Sequence, residues 1–321
     1  MAKIDKKGTV RGTVGPVVYR GYRDMNIIQG KPRNFKQSVE SVKTSTEFGL
    51  SSTTAAVVRQ AFQPAYIHRD GEAVSRSTQV IYRSIRGSLN AVVGKRDLHD
   101  ADLNCLKGLE FNIHSKISDV LQCGYRVEKD NEGSISVFMA GFDAKKDLHV
   151  PAWIKNSASQ YRIRFSLIGF NFRQEYYELL DVKDVDFCKR ETLEEQLIRF
   201  DRKSEPDQLL MVSISILAYR YTPMSEGYVL LNSKEFSPCA IIAAYEATAC
   251  DPYPAGAADP QFSEEQLIRK DAIHIMGYDG NRLLRELQQK LSKVKIKDVR
   301  KPKDVHLPPA QTGQRVSFKK G

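Results

Sequence analysis

The sequence predicts an α+β, mainly β protein: an antiparallel β-sandwich body, with an N-terminal hairpin/helical arm before it and a C-terminal helix plus basic tail after it. Three observations carry this. Apolar and polar residues alternate with period two in several separate runs between residues 101 and 250, as in half-buried strands. Residues 34–93 instead carry apolar side chains three and four apart, the helical period. Both ends of the chain are rich in Lys and Arg. The expected divisions are therefore a basic Gly/Val-rich hairpin arm (1–33), a helical segment (34–100), the sandwich body (101–250), a linker and C-terminal helix (251–294) and a basic extended tail (295–321).

In the arm, glycines and β-branched residues predict two strands, about Val17–Tyr22 and Met25–Gln29, joined at Arg23-Asp24 and stopped by Pro32. Such a hairpin is marginal alone and needs a neighbour. Phe35, Val39, Val42 and Thr46, then Ala55, Val58, Ala61 and Phe62, predict a helix that Pro64 ends and that Gly49-Leu50-Ser51-Ser52 is expected to break. A second helix is expected over Ser75–Val93, with Ile81, Ile85, Leu89 and Val92 on one side. In the body, Asp130-Asn131-Glu132-Gly133 reads as the turn of a hairpin flanked by Tyr125–Lys129 and Ser134–Phe142. Ile163, Phe165 and Leu167 alternate with Arg162, Arg164 and Ser166; the phase slips at Ile168-Gly169, predicting a bulge. Runs at 210–221, 227–231 and 239–245 give further strands, the last apolar throughout and hence central, and a short helix is expected over Thr192–Phe200. Residues 251–262 read as a linker. Ser263 and Gln266 have the spacing of a helix start, while 272–276 fits either a helix or a strand; Leu284, Leu287, Leu291 and Val294 predict a helix after Gly280.

Charge is segregated. Residues 1–37 hold nine Lys/Arg against two Asp, and residues 292–321 again hold nine against two, so each end is +7. The whole chain is +10, which leaves about −4 for the 254 residues between. Two basic ends on a mildly acidic body suit the gripping of a polyanion or the joining of subunits. The phosphate-facing candidates are Lys3, Lys6, Lys7, Arg11, Lys293, Lys295, Lys297, Arg300, Lys301 and Lys303. A second candidate is a basic-aromatic face made of Tyr161, Arg162, Arg164 and the helix residues Arg76, Arg83 and Arg86. No apolar run reaches the ~18 residues of a membrane helix, and the start of the chain lacks the apolar stretch of a secretory leader. The five cysteines have no C-x-x-C spacing and are expected mostly in the core, in a cytoplasmic or virion setting.

Chemical motifs are weak. Ile67-His68-Arg69-Asp70 has the order of a kinase catalytic loop, but Ser75 stands where that loop requires Asn, and neither Asp-Phe-Gly nor a phosphate loop accompanies it. Gly8, Gly12 and Gly15 fit a hairpin better than a nucleotide loop. His99, Asp100, Cys105 and His114 match no zinc spacing. Glu194-Glu195 and Glu264-Glu265 are expected in first turns of helices, where the macrodipole favours them. No catalytic residue, metal or cofactor is expected.

Gly12, Val14, Gly15, Val17, Val18, Tyr22, Ile28, Lys31 and Pro32 together resemble the opening of uncharacterised Bacteroidota-type proteins, with a Gly/Val-rich hairpin, a Lys-Pro stop and a helix. Residues 108–112, the 161–172 strand and the 236–245 segment are similar to recurring pieces of that β-rich group. The motifs of the resemblance are structural, and the group has no established activity, so the resemblance carries no site residues. The expected function is a non-enzymatic, self-assembling subunit, capsid-like or phage-derived, that is a homo-oligomer and touches nucleic acid non-specifically. The alternative is a nucleic-acid-binding module using the basic-aromatic face.

Overall fold

The computed structural model describes residues 2–5, 8–22, 25–31, 37–88, 92–130, 133–201, 207–246 and 273–293. The chain divides into two compact units, Met1–Val42 and Lys43–Gly321. The proposed linker at 251–262 and the tail from 295 lie outside the described residues, as do Glu264, Glu265 and the helix start at Ser263.

The first unit is a four-stranded antiparallel sheet in chain order: β1 (Lys3–Ile4), β2 (Val10–Val14), β3 (Val17–Tyr22) and β4 (Met25–Gly30). The expected hairpin is β3–β4, and β1 and β2 extend it. Val14 pairs with Val17 across Gly15-Pro16, and Gly15 has φ +56°, the conformation that a glycine-first two-residue turn requires. Register sorts the faces. Ile4 opposes Val10, Val14 opposes Val17, and Tyr19 opposes both Gly12 and Ile28, so these apolar side chains share one face. Lys3 opposes Arg11 on the other face, which also carries Arg20.

The second unit begins with helices. α1 (Val39–Ala61) runs unbroken through Gly49, contrary to the expected break. Gly49 packs beside the C-terminal helix, where an added Cβ would stand at an ordinary contact distance, 3.4 Å, from Leu283. A single turn, α2 (Gln63–Tyr66), takes Pro64 in its first turn, and α3 (Ala73–Arg86) follows. α3 ends seven residues before Val93. Gly87 N–H bonds to the Arg83 and Ser84 carbonyls, and the Arg96 guanidinium donates to the Arg86 carbonyl, occupying the acceptor that a further turn would use.

The sheets follow, with three short helices between strands: α4 (Ile117–Val120), α5 (Ala144–Asp147) and α6 (Ala152–Ser157). The principal sheet runs β16 (Ile273–Ile275), β10 (Tyr176–Cys188), β9 (Gln160–Asn171), β13 (Leu209–Thr222), β15 (Cys239–Tyr245) and β5 (Leu109–Glu110), with β14 (Gly227–Leu230) on β13. A smaller sheet, β12 (Gln196–Arg199), β7 (Ile135–Met139) and β6 (Tyr125–Lys129), packs over it, making an unequal sandwich; β8 (Phe142–Asp143) pairs with β11 (Thr192–Leu193). The expected helix over 192–200 is thus strand. Ile198 and Phe200 are buried, while Leu197 before them is 54 % exposed and Arg199 between them is also exposed, which is period two. Glu194 and Glu195 sit between β11 and β12, not in a helix. β15 lies next to the edge, covered only by the two residues of β5.

The phase slip in β9 has a different origin from the expected one. Ile163, Phe165 and Leu167 face the small sheet, whereas Ile168, Phe170 and Phe172 face α1 and its neighbours on the opposite side. The strand keeps its pleat, and the covered face changes halfway along. The bulge is on β10, where Leu180 is the extra residue between the Leu179–Ile168 and Asp181–Leu167 pairs. Each Phe or Ile fully buried in these two cores contributes roughly 1.5–3 kcal/mol. The C-terminal helix α7 (Gly280–Lys293) closes the helical side, with Leu287 buried. The class is α+β and mainly β. Among the described cysteines only Cys239 is buried; Cys105 and Cys123 are half-buried and Cys188 is exposed, so most thiols lie outside the core. No helix among the described residues is long and apolar enough to cross a membrane.

Candidate functional site

Of the phosphate-facing candidates, Lys3 and Arg11 are neighbours on exposed strands β1 and β2, and Arg11 is 3.4 Å from Asp5, which offsets part of its charge. Lys293 is the last residue of α7. Lys6, Lys7, Lys295, Lys297, Arg300, Lys301 and Lys303 lie outside the described residues.

The residues of the alternative face are not brought together. Tyr161 is 1 % exposed and stacks on Phe187 in the sandwich core, on the side of β9 opposite Arg162 and Arg164. Those two arginines are neutralised by the next strand. Arg162 holds Asp186 through two hydrogen bonds of 2.6 and 2.7 Å, and Arg164 holds Asp184 at 2.8 and 2.7 Å. These contacts keep Asp186 below the usual carboxylate range, its hydrogen bond from Arg162 being the main cause. Arg76 is consumed by Asp70.

The metal candidates are also separate. His99 is half-buried, accepts the Phe172 N–H at Nε2 (3.1 Å), and is driven to a pKa of about 4 mainly by desolvation. It is a neutral imidazole with its proton on Nδ1. Asp97 and Asp100 share Arg173, at 3.1 and 3.3 Å. No cluster of three metal-ligating side chains occurs among the described residues.

Two clefts in the second unit exceed 600 Å³ among those its described residues form. One, of about 620 Å³, lies between α3 and the edge of the principal sheet and is lined by Arg76, Lys107, Glu110, Lys116 and Tyr125 among others. Glu110 accepts the Ile117 N–H with Oε1 (3.1 Å) while its buried Oε2 has no partner, and burial raises its pKa to about 7.

The other, of about 680 Å³, is lined by residues of α1, α2 and the α2–α3 loop, together with His114 and Lys234. Its walls are fixed by buried polar groups. Asn112, fully buried, donates to the Lys234 carbonyl (2.9 Å). Ser237 donates to the Tyr66 carbonyl (2.6 Å), accepts the His68 N–H (3.2 Å), and its own N–H is bonded to Ser115 (2.9 Å). Asp70 accepts from the Ile113 and Glu72 amides and from Arg76. Burial opposes its charge, but these donors outweigh it and hold the carboxyl below its ordinary range. Ile67 adopts φ +50°, a strained conformation for a β-branched residue, and turns the chain so that His68 and Arg69 line the cleft. The kinase-like tetrapeptide is therefore structural at Asp70 and cleft-facing at His68 and Arg69. Sequence reasoning weighed the tetrapeptide only as a kinase motif; Arg59, Gln60 and Lys234 had no local signal, because the cleft joins segments over 160 residues apart.

Comparison with protein-family models, with curated proteins and with solved structures finds no match for the chain.

Proposed function

We propose that the chain is a non-enzymatic structural subunit of a self-assembling particle, capsid-like or phage-derived, that joins copies of itself through the N-terminal sheet and lays its basic termini against nucleic acid. One observation carries the reading: no described residue of the first unit is buried. Ile4, Val14 and Ile28, on one face of the sheet, are 73, 54 and 64 % exposed. A sheet that buries none of its apolar face lacks the driving force that stabilises sheets, and contiguous exposed apolar surface marks an interaction site. The same face on a second copy is an apolar complement of matching size, and two such faces pack as a sandwich about 10 Å apart. Lys3, Arg11 and Arg20 then remain on the outer side for phosphates.

Negative-stain electron microscopy and sedimentation velocity test this. The full chain is expected to form shells, tubes or filaments, while a chain lacking residues 1–37 sediments as a small species with an unchanged thermal melt. Ile28→Lys is expected to raise the concentration needed for assembly by at least about tenfold, from the apolar burial it prevents. A monomeric full chain, or assembly by the shortened one, overturns the reading. Deleting residues 292–321, which removes +7, is expected to abolish salt-sensitive retention of nucleic acid and leave the body folded. Undiminished retention would remove the tail from that role.

A further inference from the structure

The cleft beside α2 has a property that assembly through the N-terminal sheet does not use. It concentrates positive groups that have no ion-pair partner among the described residues. Arg59, Arg69 and Lys234 line it together with His68 and His114, and its only lining carboxylate, Asp70, is committed to Arg76 and two backbone amides. Arg69, Lys234 and His114 are exposed, and none of their side chains makes a hydrogen bond or ion pair among the described residues. Arg59 is different in kind. It is 7 % exposed, gives one Nη to Ser77 (2.6 Å), and leaves Nε buried with no acceptor. A guanidinium N–H without a partner is costly to bury, and Arg59 is among the residues that line the cleft. Burial and the neighbouring Arg69 charge both pull the Arg59 pKa down, which is the electrostatic cost of two guanidiniums without a shared anion.

Gln60 and Gln63, also lining and exposed, add neutral donors. The lining backbone is held by Asn112, Ser237, Ser115 and Asp70, so the donors stand on a fixed frame. A volume of about 680 Å³ is in the range of small-molecule sites. The one Phe, Tyr or Trp ring in the lining, Tyr66, is 5 % exposed, stacks on Phe111 and donates its hydroxyl to the Arg59 carbonyl, so it is not open to a nucleic-acid base. Three cationic side chains, two of them planar guanidiniums, and no open Phe, Tyr or Trp ring favour a compact multiply charged anion.

We propose that this cleft is a binding site for a small ligand bearing a di- or polyphosphate group, gripped by Arg59, Arg69 and Lys234 with His68 and His114 at its sides.

Isothermal titration calorimetry of the full chain with inorganic pyrophosphate tests it, with a short oligothymidylate titrated in parallel. Arg69→Ala and Lys234→Ala, both at exposed positions, are each expected to weaken pyrophosphate binding by about tenfold, the usual scale for one charge-assisted contact. Lys145→Ala, which removes the same charge from α5, is expected to change nothing. Far-UV melts of all three variants should match the parent. Equal affinity in the parent and both cleft variants, or no pyrophosphate binding at millimolar concentration, overturns the proposal. So does loss of oligothymidylate binding in the cleft variants without any pyrophosphate binding, which would make the site one for a nucleic-acid backbone.

Discussion

Glu47→Ala is expected to lower the unfolding free energy of the body by about 3–5 kcal/mol, the usual loss when one partner of a buried ion pair is removed. Glu47, on α1, is 1 % exposed, and Arg96, in the loop after α3, is 7 % exposed. The guanidinium reaches both carboxylate oxygens, at 2.8 and 3.0 Å, and the Gly94 N–H adds a third bond at 2.9 Å. Alanine removes all three acceptor contacts and strands a cation in the interior. It also frees the loop from the end of α3, since the same guanidinium caps the Arg86 carbonyl at 3.2 Å. The double variant Glu47→Leu with Arg96→Met removes both charges and keeps apolar volume, so it should recover most of the loss. Urea unfolding of the parent, the single variant and the double variant is the measurement. A single variant within about 1 kcal/mol of the parent would mean that water or a rearranged loop already solvates Arg96.

How much of this was legible follows the range of each interaction. The β3–β4 hairpin was read to within one residue, because its strands, glycines and two-residue connection are neighbours in sequence. α7 was readable from the three- and four-residue steps of Leu284, Leu287, Leu291 and Val294. Gly49 misled: α1 runs through it, and its neighbour Leu283 lies in an element more than 200 residues away. The 192–200 segment misled because its strand pairing is to β7 and β8, while its local composition, with paired glutamates, favours a helix start. In β9 the apolar pattern was correct and its cause was not. A sequence shows which residues are buried before it shows which layer buries them. The basic-aromatic face failed for the same reason: Asp184 and Asp186, about twenty residues on, neutralise Arg164 and Arg162 only once β10 pairs with β9. The cleft was the least legible feature, since no spacing links Arg59, Arg69 and Lys234 before the fold does. His68 and Arg69 were visible, but only beside an aspartate whose function is to hold the frame.

Glu110→Gln should make the body more stable at pH 8 and leave it unchanged at pH 4, with the difference growing between about pH 4.5 and 7. Burial is the main cause of the raised pKa of about 7; the Ile117 N–H pulls the other way, and Asp119 adds to the rise. A carboxyl with a folded pKa above its unfolded value, near 4.5, binds its proton more tightly in the folded state. Below about pH 4.5 both states are protonated and the group is neutral in stability. Between about 4.5 and 7 the unfolded chain has lost the proton and the folded chain has kept it, so stability falls as pH rises. Above about 7 the folded state carries a buried charge, and the penalty levels off near 3 kcal/mol, from 1.36 kcal/mol for each tenfold change in proton affinity. Glutamine keeps the acceptor for Ile117 and never ionises. Its stability relative to the parent, followed by urea unfolding at several pH values, should therefore rise across that window and then stay flat. A gap that is the same at pH 4 and pH 8 would show that Glu110 is solvated in the folded protein and that its unpartnered oxygen faces water.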